Sequence, residues 1–252
     1  MNYESIKKLA KKFIPTRFFH RNQALIRKMV ALRYMGSHYE CNICAFKLSK
    51  FVKLSTGDLL CPNCGSLPRT RRLWEILQAE LKAGGKKVLH FSPMSAISKK
   101  LKNRENIIYI TSDYNGDFDA DKKLDIRKID EPDEEYDLII CFHVLEHIPE
   151  DTEAIQELFR ILRDGGKCLF QTPFKEGSIY ENPIIQTPAE RLQHFGQEDH
   201  VRIYSVEGLK ERIKKEGFNV HILHYENCYD NRYGFKEKEV VIVGEKLIRP
   251  KC

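Results

Sequence analysis

No apolar run in this 252-residue sequence approaches the ~20 residues of a membrane-spanning helix. The nearest thing to the apolar core of an export signal, residues 24–32, is interrupted by Arg27 and Lys28. Absence of both makes a cytoplasmic location the expectation. No internal repeat and no low-complexity segment is present. What is there, 42% apolar and 31% charged residues, is the composition of a soluble globular protein rather than a disordered one. The length suits one medium α/β domain with a small appendage.

Charge is unevenly placed. Residues 1–36 hold nine Lys/Arg against the single acid Glu4, whereas the rest of the chain is nearly neutral. A basic head on a neutral body is expected either to touch something anionic, RNA or an anionic membrane surface, or to be a solvated helical arm. Ile6, Leu9, Leu25, Ile26, Met29 and Val30 fall at helical spacings around Pro15 and predict two short basic helices.

Four of the eight cysteines form the pattern C-x2-C-x16-C-x2-C, through Cys41, Cys44, Cys61 and Cys64. Two residues between thiolates let both sulfurs of a knuckle face one ion, and two knuckles complete a tetrahedron. The expectation is a structural zinc ribbon over residues 37–68, with Gly65 allowing the tight turn of the second knuckle. Four thiolates leave no open position, so no catalytic role is assigned to that zinc.

From residue 69 the pattern alternates. Strands are expected at Lys87–Phe91, Ile107–Thr111, Tyr136–Phe142 and Lys167–Gln171, with intervening helical faces at Met94, Ile97 and Leu101 and at Ile155, Leu158, Phe159 and Leu162. This predicts a doubly wound, mostly parallel sheet of Rossmann-like type. A helix near Val206–Glu216, with Ser205 as N-cap, precedes strands Asn219–Tyr225 and Glu239–Glu245. No helical pattern separates these two, so they should pair as an antiparallel hairpin. The divisions are thus 1–36, 37–68 and 69–252.

In open α/β sheets ligands sit beyond the carboxyl ends of the strands, where strand order reverses. The first-strand turn there is His90-Phe91-Ser92-Pro93-Met94, and Asp113 ends the second strand 23 residues after His90. An acid at that separation is placed to accept the ribose hydroxyls of an adenosine.

Residues 136–174, YDLIICFHVLEHIPEDTEAIQELFRILRDGGKCLFQTPF, resemble the fourth-to-fifth-strand core of class I methyltransferases of the methyltransferase-11 type. Asp137 to His147 and Leu162 to Gly166 carry the likeness most specifically, and it extends over roughly residues 86–245, including the final hairpin. It implies a seven-stranded sheet and S-adenosylmethionine as cofactor. By position it implies Asp113 and Tyr114 at the ribose, and Asp125 and Ile126 beside the adenine. His90, Phe91, Ser92 and Pro93 would line the methionine and ribose side, with Phe142 and His143 at the mouth of the fourth strand. The four-cysteine ribbon together with FGQEDHVRIY (195–204) resembles a bacterial subgroup associated with surface-glycan or secondary-metabolite modification. One departure stands out: the family's first turn is G-x-G-x-G, and here no glycine lies between Lys86 and Tyr114.

Methyl transfer is an in-line displacement, and a base is needed only where the acceptor starts protonated. His147 and His200 are candidates, with Asp199 orienting His200. Gln197 and Arg202 would hold the substrate, Arg202 through an anion such as a nucleotide-sugar phosphate. Three functions follow: methylation of a small-molecule or glycan-precursor acceptor, RNA methylation, or non-enzymatic binding of cofactor or partner. For RNA stand the basic head and Arg69, Arg71 and Arg72; against it stands the lack of an N/D-P-P-Y/F motif after the fourth strand. The retained Asp113 and E-H segment argue against a decayed, non-enzymatic site.

Overall fold

The computed structural model describes residues 27–226 and 230–248. The predicted helices around Pro15, and most of the basic head, lie outside the described residues. Two compact units are present. The first takes residues up to 83 together with 225–239, the second takes 84–224 with the chain after 239. The division therefore falls at Gly84 rather than at residue 69, because the helix following the cysteines packs with them.

The first unit contains strands β1 (Met35–Glu40), β2 (Lys47–Leu48), β3 (Val52–Lys53) and β4 (Leu59–Leu60), followed by helix α1 (Pro68–Glu80). The pairs β1–β2 and β3–β4 are antiparallel. Pro68 opens α1 at its first position, where a missing N–H costs nothing. Arg71 and Arg72, counted above as part of an RNA-facing stretch, are buried instead. The Arg71 guanidinium donates to the carbonyls of Ser66 (2.8 Å), Leu59 (2.9 Å) and Gly234 and lies 4.3 Å from the centre of the Phe51 ring. Arg72 pairs with buried Glu239 at 3.3 Å and stacks over Tyr225 and Phe235. Guanidiniums buried this deeply and spent mainly on internal partners are out of reach of a phosphate, so these two residues are braces.

The second unit is built on a six-stranded sheet. Its strands are β5 (Lys87–Phe91), β6 (Ile108–Ser112), β7 (Tyr136–Phe142), β8 (Leu162–Gln171), β11 (Asn219–Glu226) and β12 (Lys238–Glu245), in the order β11-β12-β8-β7-β5-β6. The contacts β6–β5, β5–β7 and β7–β8 are parallel, and β12 runs antiparallel to β8. Helices α2 (Ser95–Leu101), α3 (Asp151–Ile161), α4 (Pro188–Phe195) and α5 (Val206–Lys215) complete it, with short strands β9 (Tyr180–Glu181) and β10 (Arg202–Ile203) pairing apart from the sheet.

β7 is central because six of its seven residues are buried, the run having no polar face to give to water. On α3, Ala154, Ile155, Leu158 and Ile161 are buried at helical spacing. Leu162, expected on that helix, already belongs to β8, and Gly165-Gly166 lie within the strand. Ser205 caps α5, its hydroxyl accepting from the Gly208 N–H at 3.1 Å.

The sheet has six strands where seven were expected. In place of the third, residues 120–129 make one parallel bridge, Ser112 with Lys122, and a turn closed by Asp125 and Lys128. Residues 115–123 are rich in Asn, Gly, Asp and Lys, which fit a half-buried pleated surface poorly. Hydrogen bonds from the Thr111 N–H and hydroxyl to Asp121 fasten the segment instead.

Candidate functional site

Strand order reverses at β5: the chain goes from β5 to β6 on one side and then crosses to β7 on the other. Beyond the carboxyl ends of these strands a crevice must open, and the turns at 92–94 and 143–147 stand at its two walls. Both turns are entered through a non-glycine residue in the left-handed region, Ser92 at φ +46° and His143 at φ +55°. Such conformations are costly and concentrate at functional sites. Ser92 takes up the backbone form that a glycine would have supplied, and its N–H donates to the Ser112 carbonyl at 2.9 Å.

The predicted cofactor residues divide into those at this crevice and those beneath it. Asp113 is 7% exposed. Its Oδ2 accepts from the N–H groups of Asp117 (2.7 Å) and Phe118 (3.2 Å), and its Oδ1 receives the Ser92 hydroxyl at 3.4 Å. With about four lone-pair sites on a carboxylate, Oδ1 retains capacity for a ligand hydroxyl. Tyr114 is exposed, and Pro93 is buried in the turn. His90 and Phe91 correct the expectation of pocket-lining residues. His90 is fully buried against Tyr109 (Nδ1 to Oη, 2.8 Å), and burial pushes its pKa down to about 3; Phe91 belongs to the hydrophobic core. Ile126 is likewise a core residue. Asp125 is held by the Arg127 guanidinium at 2.8 and 3.0 Å, which keeps its carboxyl below the ordinary range. Phe142 is buried at the end of β7.

Around the end of β7, four buried polar atoms have no hydrogen-bond partner: Nε2 of His143, Oε2 of Glu146, Oε1 of Gln171 and Oγ1 of Thr172. Phe142 and Gln171 are register partners, and the His143 N–H donates to the Gln171 carbonyl at 2.7 Å, so the four belong to the ends of two adjacent strands. Buried polar groups are ordinarily satisfied; a cluster of unsatisfied ones is where a polar ligand fits. Gln171 and Thr172 were not singled out from sequence, although a polar pair directly after an apolar strand was the available signal.

The second cluster joins Glu146, His147, Asp199 and His200. His147 Nδ1 is 3.1 Å from an Asp199 carboxylate oxygen, and the His147 and His200 rings meet edge to face with centres 4.7 Å apart. Glu146 is buried and hydrogen-bonded to His143 Nδ1 at 3.1 Å. Burial works against its charge, but the His143 bond and the neighbouring imidazoles outweigh it and hold the carboxyl below the usual range. For His200, burial and then His147 lower the pKa, with Glu146 and Asp199 opposing. Asp199 thus contacts His147 where orientation of His200 was expected. Gln197 is exposed on the same loop.

Arg202 is a clear correction. It is buried, its Nε donates to Glu181 at 2.8 Å, and its terminal nitrogens donate to the carbonyls of Leu145 (3.3 Å), Ile148 and Pro149 (2.7 Å). Buried and turned onto these internal acceptors, the side chain fastens the loop that carries Glu146 and His147 rather than facing a substrate anion.

In the first unit the four cysteine sulfurs lie within 4.8 Å of one another, with Cys41–Cys64 at 3.6 Å and Cys44–Cys61 at 3.8 Å. Metal–sulfur bonds of about 2.3 Å would place tetrahedral sulfurs about 3.8 Å apart, so the spacing fits a closed four-thiolate ion site. Each knuckle turns through a positive φ just after its second cysteine, Ala45 at +54° and Gly65 at +77°. Only one of them needed to be glycine.

Residues 72–223 match the family described as "Methyltransferase domain". A Mycolicibacterium smegmatis protein named "Probable S-adenosylmethionine-dependent methyltransferase" is 34% identical over 89 residues, covering 35% of this chain and 31% of that protein. The ubiquinone biosynthesis O-methyltransferase of a Pseudomonas fluorescens strain is 32% identical over 56 residues, 22% of this chain and 24% of that protein. The chain therefore spans less than a third of either relative. Among solved structures, a methyltransferase from Archaeoglobus fulgidus aligns with 68% of this chain and 94% of its own at 18% identity and a TM-score of 0.46. The Burkholderia thailandensis 1,6-didemethyltoxoflavin-N1-methyltransferase aligns with 70% and 77% at 14% identity and a TM-score of 0.48. No described helix is long and apolar enough to cross a membrane.

Proposed function

Because the chain belongs to the methyltransferase-domain family, we propose that it transfers the methyl group of S-adenosylmethionine to a small-molecule or glycan-precursor acceptor in the cytoplasm. The observation that supports this reading is the reversal of strand order at β5, which the family match encloses, with Ser92 hydrogen-bonded to Asp113 on one side of it and His143 following β7 on the other. The residues present fit the cofactor: Ser92 supplies the left-handed turn, Asp113 keeps an accepting oxygen, and unpartnered polar atoms stand at the end of β7.

When bound, the cofactor supplies an electrophilic sulfonium methyl. The chain's own work is to align it and exclude water. Asp113 accepts the ribose hydroxyls, Ser92 and Pro93 shape the turn beneath them, and His143 faces the methionine end. Tyr114, exposed beside Asp113, covers the nucleoside side. His147, His200 and Asp199 handle the acceptor, with Gln197 on the same loop. The four-cysteine site holds a structural zinc that stabilises the first unit.

Isothermal titration of the full chain with S-adenosylmethionine and its demethylated product tests the cofactor half, and a screen of hydroxylated and amino acceptors tests the other. Failure to bind either cofactor form overturns the proposal.

A further inference from the structure

Glu146, His147 and His200 each bring one ligand atom within 4.8 Å of the other two. Glu146 is 1% exposed, and while Oε1 meets His143, Oε2 has no partner. An unpartnered carboxylate oxygen in the interior is expensive, and a cation among the three groups satisfies it. Asp199 adds an independent sign. A carboxylate on one imidazole nitrogen sets the tautomer and frees the other nitrogen to ligate, the arrangement found around most histidine-bound metals; Asp199 stands 3.1 Å from Nδ1 of His147. The segments are also fastened together beforehand. The Val201 N–H donates to the Glu146 carbonyl at 2.9 Å, and Arg202, two residues past His200, holds the carbonyls of Leu145, Ile148 and Pro149.

We infer that Glu146, His147 and His200 form a binding site for a divalent transition-metal ion, distinct from the four-cysteine site. Two imidazoles and one carboxylate suit Mn2+, Fe2+, Co2+ or Zn2+ and leave coordination positions open for a substrate. The inference deepens the methyl-transfer reading and rests on it: the open position takes a hydroxyl oxygen of the acceptor. The ion lowers the pKa of that hydroxyl, whose proton passes to solvent. The oxygen's electron pair then forms the new O–C bond as the C–S bond breaks, turning the sulfonium into a neutral thioether. The acceptor class is accordingly a hydroxylated small molecule, best with a second oxygen that can chelate, and the product is a methyl ether.

Mn2+ is the probe, because it favours oxygen and nitrogen ligands over thiolates. Titrating the full chain with Mn2+ alone, followed by electron paramagnetic resonance, is expected to find one ion per chain. Glu146→Gln and His200→Ala should each weaken it at least tenfold while the metal on the cysteines is kept, and His200→Ala should also keep the affinity for S-adenosylmethionine. If Glu146→Gln fails to fold, Asp199→Asn replaces it, since that side chain is 68% exposed; a several-fold loss is expected. No Mn2+ binding, or binding that these variants leave unchanged, overturns the site. Cofactor binding without Mn2+ binding removes the site and leaves methyl transfer standing. Mn2+ binding without cofactor binding overturns the methyl-transfer reading and keeps the site.

Discussion

The hydroxyl of Ser92 stands 3.4 Å from Oδ1 of Asp113, linking the turn after β5 to the acid that ends β6. Ser92 does this from a left-handed backbone at φ +46°. The link fastens the two turns of the proposed nucleoside site, and the left-handed backbone of Ser92 sets the first prediction. Ser92→Gly should keep cofactor affinity, since glycine adopts that conformation without strain. Ser92→Val should lose about 1–2 kcal/mol of stability, as a β-branched residue at positive φ does. Asp113→Ala should raise the cofactor dissociation constant tenfold or more, about 1.4 kcal/mol. Calorimetry on the three variants checks this, and unchanged affinity in Asp113→Ala removes Asp113 from the site.

Arg202 is expected to act on stability rather than on substrate affinity. Arg202→Met leaves the 145–149 carbonyls without their guanidinium, while Asp151 and Glu181 keep Arg212, a loss on the order of 1–3 kcal/mol. Gln197→Ala, on the exposed part of the same loop, should stay within about 0.5 kcal/mol. Urea denaturation distinguishes them; an Arg202 variant of native stability with only a raised KM would restore the anion-holding role.

His90 should make folding stability depend on acid. Its folded pKa of about 3 lies below the ordinary 6.5, because burial disfavours the imidazolium. The stability it contributes is complete above pH 6.5, falls as the unfolded chain takes up a proton the folded chain refuses, and is gone near pH 3. The slope in that window is about 1.4 kcal/mol per pH unit. Denaturation between pH 7 and 4.5 should show a shallower decline for His90→Gln than for the unmodified chain; equal slopes would mean that His90 titrates normally.

Zinc removal should unfold the first unit and spare the second. The chelator-treated chain is expected to lose an early thermal transition, and Cys61→Ser to bind one zinc equivalent less. Arg71→Met should weaken the same transition, because Arg71 holds the Ser66 carbonyl next to the second knuckle. If chelation leaves melting unchanged, the cysteines do not hold a structural ion.

The cysteine spacing and the run 136–142, apolar but for Asp137, were legible in the sequence because each encodes a local rule: two residues between ligands, and a strand buried on both faces. Position along the chain also marked the 90–94 turn and Asp113 as two positions at a switch point; their contact through Ser92 came from the fold. Other assignments depended on packing. Three arginines at 69, 71 and 72 read as a basic patch, yet Arg71 and Arg72 turn inward, because a one-dimensional charge count does not know where carbonyls lie. Arg202 changed in the same way from anion holder to brace. The seventh strand was implied by family resemblance, and the acid-rich 115–123 segment gave way to a bridge and a turn. Above all, Glu146 and His147 are adjacent in sequence but His200 is more than fifty residues away. Only the tertiary fold, through the Arg202 clamp and the Val201 hydrogen bond, brings the three into reach of one ion.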